Sequence, residues 1–272
     1  SSHECVVSHR MLAIAPAAPL MILTPASERR SCAAASVIPS AVVSSSNQSC
    51  PMGQREGRGL STIRSIADYP IPLVVGMLLA TREKLSVLDF GGGMGLQYLE
   101  VIAKVPVAKE RLDYYIMDGN ASIQNRPDEL NQFNKLKFIS NIEDLKEPID
   151  IIHIGSTLQY VNDWKFLIFD LKTKYQPMYF VFSDLLAGDV PTFVSHQIFY
   201  EKRIPVHMLN IDEFISFMKS LGFDNSYQSL FQSNILGRET LSNFELPENK
   251  RIRKTINIIF RNNIAIHDEI RS

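Results

Sequence analysis

The chain of 272 residues predicts an α/β protein, a doubly wound and mostly parallel sheet of seven strands with helices on both faces. Three observations carry that expectation. From residue 70 onward the hydrophobic period switches repeatedly between 2 and 3.6. The stretches of strand period are short and continuously apolar, as strands covered on both faces must be. The first of them runs straight into a glycine cluster, Gly91-Gly92-Gly93-Met94-Gly95, with a helical pattern behind it.

The elements follow in order. Residues 71–80 read as a buried helix, with Pro72 in the first turn, where a missing N–H leaves nothing unpaired. Residues 84–90 form strand one, 95–105 a helix and 113–117 strand two. A short polar helix is expected over 127–133, strand three over 136–140 and strand four over 150–155. Trp164, Leu167, Ile168, Leu171 and Tyr175 recur at helical spacing after Asn162 or Asp163 as cap. Residues 178–183 are strand five. Asn210 caps the next helix with Glu213 at the reciprocal position, Phe214, Phe217, Met218 and Leu221 form its apolar stripe, and Gly222 ends it. The last two strands are expected over 227–232 and 255–260, the final one antiparallel. The stretch between strand five and Asn210 reads as a long loop, of a length that is often functional, carrying Asp184, Asp189, His196, Gln197, Tyr200 and His207.

Composition narrows the function. With 28 Lys+Arg against 29 Asp+Glu there is no basic excess, which argues against nucleic acid as a partner. No apolar run reaches the ~20 residues of a membrane-spanning helix. All three cysteines, Cys5, Cys32 and Cys50, fall within residues 1–51, a stretch rich in Ser and Ala that lacks Lys, Gly and every aromatic. Such a segment buries too little surface to offset its ordering entropy, so 1–51 is expected to be a disordered extension, with 52–272 the working domain. The apolar run from Met11 resembles the core of a secretory signal, and an acid-poor targeting peptide is a second reading. Pro16, Pro19 and Pro25 interrupt the run, which favours an upstream extension with Met52 as the start. The cysteine-free remainder fits the cytoplasm.

The glycine loop decides the ligand class. A dinucleotide fingerprint started at Gly91 or Gly93 needs a glycine at 96 or 98, where Leu96 and Tyr98 stand. A phosphate-cradling loop fails as well, because no Gly-Lys-Ser/Thr follows. What fits is an acid followed by alternating glycines: Asp89, Gly91, Gly93, Gly95. This resembles motif I of the class I S-adenosylmethionine-dependent methyltransferases, and with it the Rossmann-like sheet of that superfamily. The resemblance implies that Asp89, Gly91, Gly93 and Gly95 meet the cofactor at its methionine moiety and that Asp118, at the end of strand two, takes the ribose hydroxyls. It implies that Glu143 or Asp144 lies near the adenine. It also places Gln159 and Tyr160, after strand four, beside the donor and acceptor sites.

Further segments narrow the resemblance. Ala67-Asp68-Tyr69-Pro70-Ile71-Pro72-Leu73, Leu158-Gln159-Tyr160 and Pro191-Thr192-Phe193-Val194-Ser195-His196-Gln197, followed by Glu213-Phe214, are similar to a group of methyltransferases associated with bacterial surface-polysaccharide loci. That similarity spans roughly 66–235 and implies a small or glycan acceptor beside Gln159 and Tyr160; the long loop before Asn210 then reads as the acceptor lid, with Gln197 expected to bind the acceptor and His196 to be the catalytic group. His153, between isoleucines in strand four, reads as a satisfied core histidine. No His/Cys/Asp cluster has ligand spacing, so no metal is expected. Two rivals stand beside this reading, a nicotinamide-dependent oxidoreductase and a non-catalytic methyltransferase-like scaffold.

Overall fold

The computed structural model describes residues 6–7, 69–199, 202–231 and 246–263. In chain order the main elements are α1 (Ile71–Leu79), β1 (Leu85–Phe90), α2 (Leu96–Lys104), α3 (Ala108–Arg111), β2 (Leu112–Met117), α4 (Asn120–Gln124), β3 (Leu136–Ile139) and β4 (Ile151–Gly155). Then come α5 (Trp164–Tyr175), β5 (Tyr179–Leu185), β6 (Phe193–Phe199), β7 (Lys202–Asn210), α6 (Ile211–Ser220), β8 (Phe223–Leu230) and β9 (Ile256–Asn262).

The main sheet has seven strands in the order β8-β9-β5-β4-β1-β2-β3. Strands β1 to β5 are parallel. Strand β9 inserts between β5 and β8, antiparallel to both. This is the expected Rossmann-like sheet with its antiparallel last strand. Chain order reverses between β1 and β4, so the crevice at their carboxyl ends is the switch point where such sheets bind ligands.

Burial explains why the central strands are mostly apolar. Val87, Tyr114, Ile116, Ile151 and Val181 pack with α1 and α2 on one face. Leu88, Phe90, Ile152, Ile154, Phe180 and Phe182 pack with α5 and α6 on the other. Helix α5 has the expected bounds, and the Asp163 carboxylate caps it by accepting the Phe166 N–H at 3.0 Å. At α6 the Asn210 side chain accepts the Glu213 N–H. The reciprocal half of that capping box is relayed, because Thr192 Oγ1 accepts the Asn210 N–H and donates to Glu213 Oε2.

Three expectations are corrected, and two short helices are added. The polar helix of 127–133 is a 3-10 turn over Asp128–Gln132. The one-turn helices α3 and α4 fill connections too short to show a period. Strand β8 begins at Phe223, four residues before the expected 227. Most consequentially, the expected loop before Asn210 is an antiparallel hairpin, β6 on β7, registered from Phe193↔Met208 to Phe199↔Lys202. Val6–Val7 pair in parallel with His196 and Gln197 at the rim of that hairpin. The rest of 1–51, and the boundary at 52, lie outside the described residues, as does Tyr200. Among the described residues no helix is long and apolar enough to cross a membrane.

Candidate functional site

The glycine loop leaves β1 at the switch point and turns through three left-handed residues, Gly91 (φ +75°), Gly93 (+60°) and Gly95 (+89°). Two of these are fixed by the protein's own packing. A Cβ at Gly91 would lie 2.2 Å from Thr157 Oγ1, which the Gly155 carbonyl holds in place at 2.7 Å. A Cβ at Gly95 would lie 2.9 Å from Ile116 Cδ1. The loops after β1 and β4 therefore close directly on one another. Gly93 does something different: its N–H donates to Asp118 Oδ2 at 2.9 Å.

Asp118 stands at the tip of β2, where pairing with both β1 and β3 holds the strand. Its other oxygen accepts the Gly119 N–H at 2.6 Å. Burial raises this carboxyl above its ordinary range, against hydrogen bonds from Ser122, Gly93 and Gly119 that stabilise the anion. With three of its roughly four acceptor directions taken by Gly93, Gly119 and Ser122, the carboxylate keeps room for one hydroxyl donor. That suits one hydroxyl of a ribose.

Asp89 is placed otherwise than the resemblance implies. It is 1% exposed, and the protein takes both its oxygens: Tyr114 Oη donates to Oδ2 at 2.8 Å, and His153 Nδ1 lies 2.7 Å from Oδ1. His153 Nε2 in turn lies 2.9 Å from Ser183 Oγ. Strand register builds the chain, because Asp89 pairs with His153 across β1 and β4 and period two turns these side chains to the α1/α2 face. His153 is thus the satisfied core histidine its surroundings predict. Asp89 supports the loop from beneath, since a Cβ at Gly92 would fall 2.6 Å from its Oδ2.

A second polar cluster lies at the carboxyl ends of β4 and β5. Ser156 (φ +51°) and Asp184 (φ +52°) both adopt the left-handed conformation without being glycine. They are bonded to each other, Ser156 Oγ donating to Asp184 Oδ2 at 2.6 Å. Thr255 Oγ1 donates to the other oxygen, Asp184 Oδ1. Tyr69 Oη lies 3.4 Å from Ser156 Oγ, and its ring meets the edge of His153. Burial, with Asp184 adding to it, pushes the Tyr69 and Tyr160 phenols up to about 12. Burial also holds the Asp184 carboxyl above the ordinary carboxylate range.

The remaining expected residues divide. Tyr160 Oη donates to Gln197 Oε1 at 2.8 Å, so the turn after β4 and the β6–β7 hairpin meet. Gln159 is 7% exposed; its side chain bonds Tyr160 while its Oε1 has no partner. His196 is not brought to this group. Alternation along β6 turns it to the face of the half-exposed Val194, opposite Gln197 and the buried Ser195. Glu143 and Asp144 sit in an exposed turn after β3, and Glu143 pairs with Lys174 at 3.1 Å. Sequence reasoning named Asp184 only as one polar residue among several and passed over Ser156 and Thr255. Nothing in residue identity announces a left-handed serine or aspartate. Among the described residues no cluster could hold a metal ion.

No family model matches the chain, and no curated protein does. Solved structures do. A Burkholderia thailandensis 1,6-didemethyltoxoflavin-N1-methyltransferase bound to S-adenosylhomocysteine is 11% identical, with 71% of this chain covering 76% of that one at a TM-score of 0.47. An S-adenosylmethionine-dependent methyltransferase from Mesorhizobium loti is 15% identical over 70% of this chain and 98% of its own, at 0.45. Magnesium protoporphyrin IX methyltransferase from Synechocystis is 14% identical over 71% and 82%, at 0.43. At such identities neither activity nor site residues transfer from them.

Proposed function

We propose that the chain binds S-adenosylmethionine at the carboxyl edge of β1, β2 and β4 and transfers its methyl group to a small or carbohydrate-like acceptor. One observation carries the reading. At the switch point of the sheet, the Gly93 N–H of an acid-x-Gly-x-Gly-x-Gly loop is hydrogen-bonded to a strand-end carboxylate, Asp118, that keeps acceptor capacity for a ribose hydroxyl.

The residues fit that cofactor, which supplies an already activated methyl group when bound. The chain's share is position and exclusion of water. The Gly91–Gly95 backbone lies against the amino-acid end, with Asp89 and His153 fixing the loop from below. Asp118 holds the ribose, and Asp144 or Glu143 borders the adenine, with Asp144 the better placed because Glu143 already serves Lys174. Gln159, Tyr160 and Gln197 line the acceptor side. The Tyr160–Gln197 bond supports this, because it joins two of the segments on which the surface-polysaccharide resemblance rests. A role in preparing a surface glycan follows from that resemblance, and the absence of cysteine from residues 52–272 fits the cytoplasm.

Calorimetric titration of the full chain with S-adenosylmethionine, S-adenosylhomocysteine and NADH tests the reading. Binding of the first two without the third is expected. Binding of NADH alone would revive the oxidoreductase, and silence from all three in a folded chain would favour the scaffold.

A further inference from the structure

We propose that Asp184 is the group that receives the acceptor's proton, and that the acceptor is accordingly a hydroxyl compound. The inference rests on the methyl-transfer reading and adds a residue and a substrate class to it. Of the three non-glycine residues with positive φ among the described residues, Gln176 follows the end of α5, where such a conformation is ordinary. The other two, Ser156 and Asp184, sit side by side at the carboxyl ends of the central strands β4 and β5. Backbone strain of this kind persists only where surrounding structure enforces it, and it concentrates at functional sites.

The surroundings define what the cluster takes. Asp184 is held by Ser156 Oγ, Thr255 Oγ1 and, through its own N–H, by Asn257 Oδ1. No cation is among these partners, so its charge is stabilised by hydroxyls alone. Beside Tyr160, whose phenol the Asp184 charge reaches, the buried Gln159 Oε1 is an acceptor without a donor. A carboxylate and an orphaned amide oxygen both ask for O–H or N–H groups, as a polyol provides. A neutral amine can be methylated without a base, whereas a hydroxyl needs one. In the step, the acceptor O–H bond breaks as its O–CH3 bond forms and the S–CH3 bond of the donor breaks. The proton passes to Asp184, and the sulfonium is left as a neutral thioether.

The test needs no identified acceptor. Sinefungin carries an amine-bearing carbon in place of the methylsulfonium, so its ammonium group stands where the methyl is transferred. Titrations of the full chain with sinefungin and S-adenosylhomocysteine give an affinity ratio that reads negative charge at that point. Asp184→Asn, which tolerates the left-handed backbone, should reduce the sinefungin preference about tenfold while leaving S-adenosylhomocysteine affinity unchanged. Ser156→Ala, which keeps the charge but loosens its aim, should reduce it partly, and Asp128→Asn, an exposed carboxylate in the turn before the edge strand β3, not at all. An unchanged ratio in Asp184→Asn, or in Ser156→Ala should the first variant not fold, overturns the assignment and leaves the methyl-transfer reading standing. Failure of the folded wild type to bind either ligand overturns both.

Discussion

The two halves of the switch-point crevice are built on opposite principles. On the β1–β2 side the carboxylate beneath the loop is saturated by the protein: Asp89 gives both oxygens to Tyr114 and His153, and Gly91 and Gly95 are demanded by Thr157 and Ile116. On the β4–β5 side two ordinary residues are strained, a carboxyl is held without a cation, and Gln159 Oε1 is left without a partner. The first half is what a constant ligand asks for, a preformed cradle. The second has stability withheld from it, as sites that must act on a variable partner often do.

If that contrast holds, the largest losses of stability come from the saturated half. His153→Ala leaves the buried Asp89 carboxylate without its nearest partner and should cost about 3–5 kcal/mol in urea unfolding. Gly91→Ala forces a Cβ against the branched Thr157 side chain at positive φ, for about 2–3 kcal/mol, with loss of S-adenosylhomocysteine binding. Asp118→Asn should lower that affinity about tenfold with little change in stability.

Asp184→Asn should do the reverse of the His153 variant and raise the melting temperature at neutral pH. The sign follows from the direction of the shift. A carboxyl whose folded pKa is raised favours folding fully below its ordinary value, and that contribution is lost as pH rises through the raised one. The gain over wild type should therefore vanish as the pH is lowered, measured by thermal melts across the acid range. Smallest of all, Glu213→Gln should cost under about 1 kcal/mol, since the Lys165–Glu213 pair is nearly half exposed. Its carboxyl is held low by Lys165 and Thr192, so that small contribution is present above the ordinary value and fades as pH falls.

The same contrast sets what could be read from sequence. Periodicity gave α5 its bounds because Leu167, Ile168 and Leu171 face one core and Asp163 supplies the cap. The glycine loop was legible because a tight turn between strand and helix leaves few residue choices. The β6–β7 hairpin was not, since Phe193, Val194, Ile198 and Phe199 break the period-2 alternation and Pro205 argues against a strand interior. His196 was misplaced for that reason: in a loop it could face the acceptor, whereas strand pairing commits it to the face opposite Gln197. Asp184 and Ser156 owe their conformation to tertiary contacts with Thr255, Asn257 and Tyr69, which lie far away along the chain.

The most direct measurement is a two-dimensional amide spectrum of the full chain with its 13 glycines labelled with nitrogen-15, recorded with and without S-adenosylhomocysteine. Shifts should be largest at Gly91, Gly93, Gly95 and Gly119, with Gly188 and Gly222 unmoved. Movement elsewhere with a silent Gly93, or no movement at all, would contradict a cofactor cradle at the Gly93–Asp118 contact.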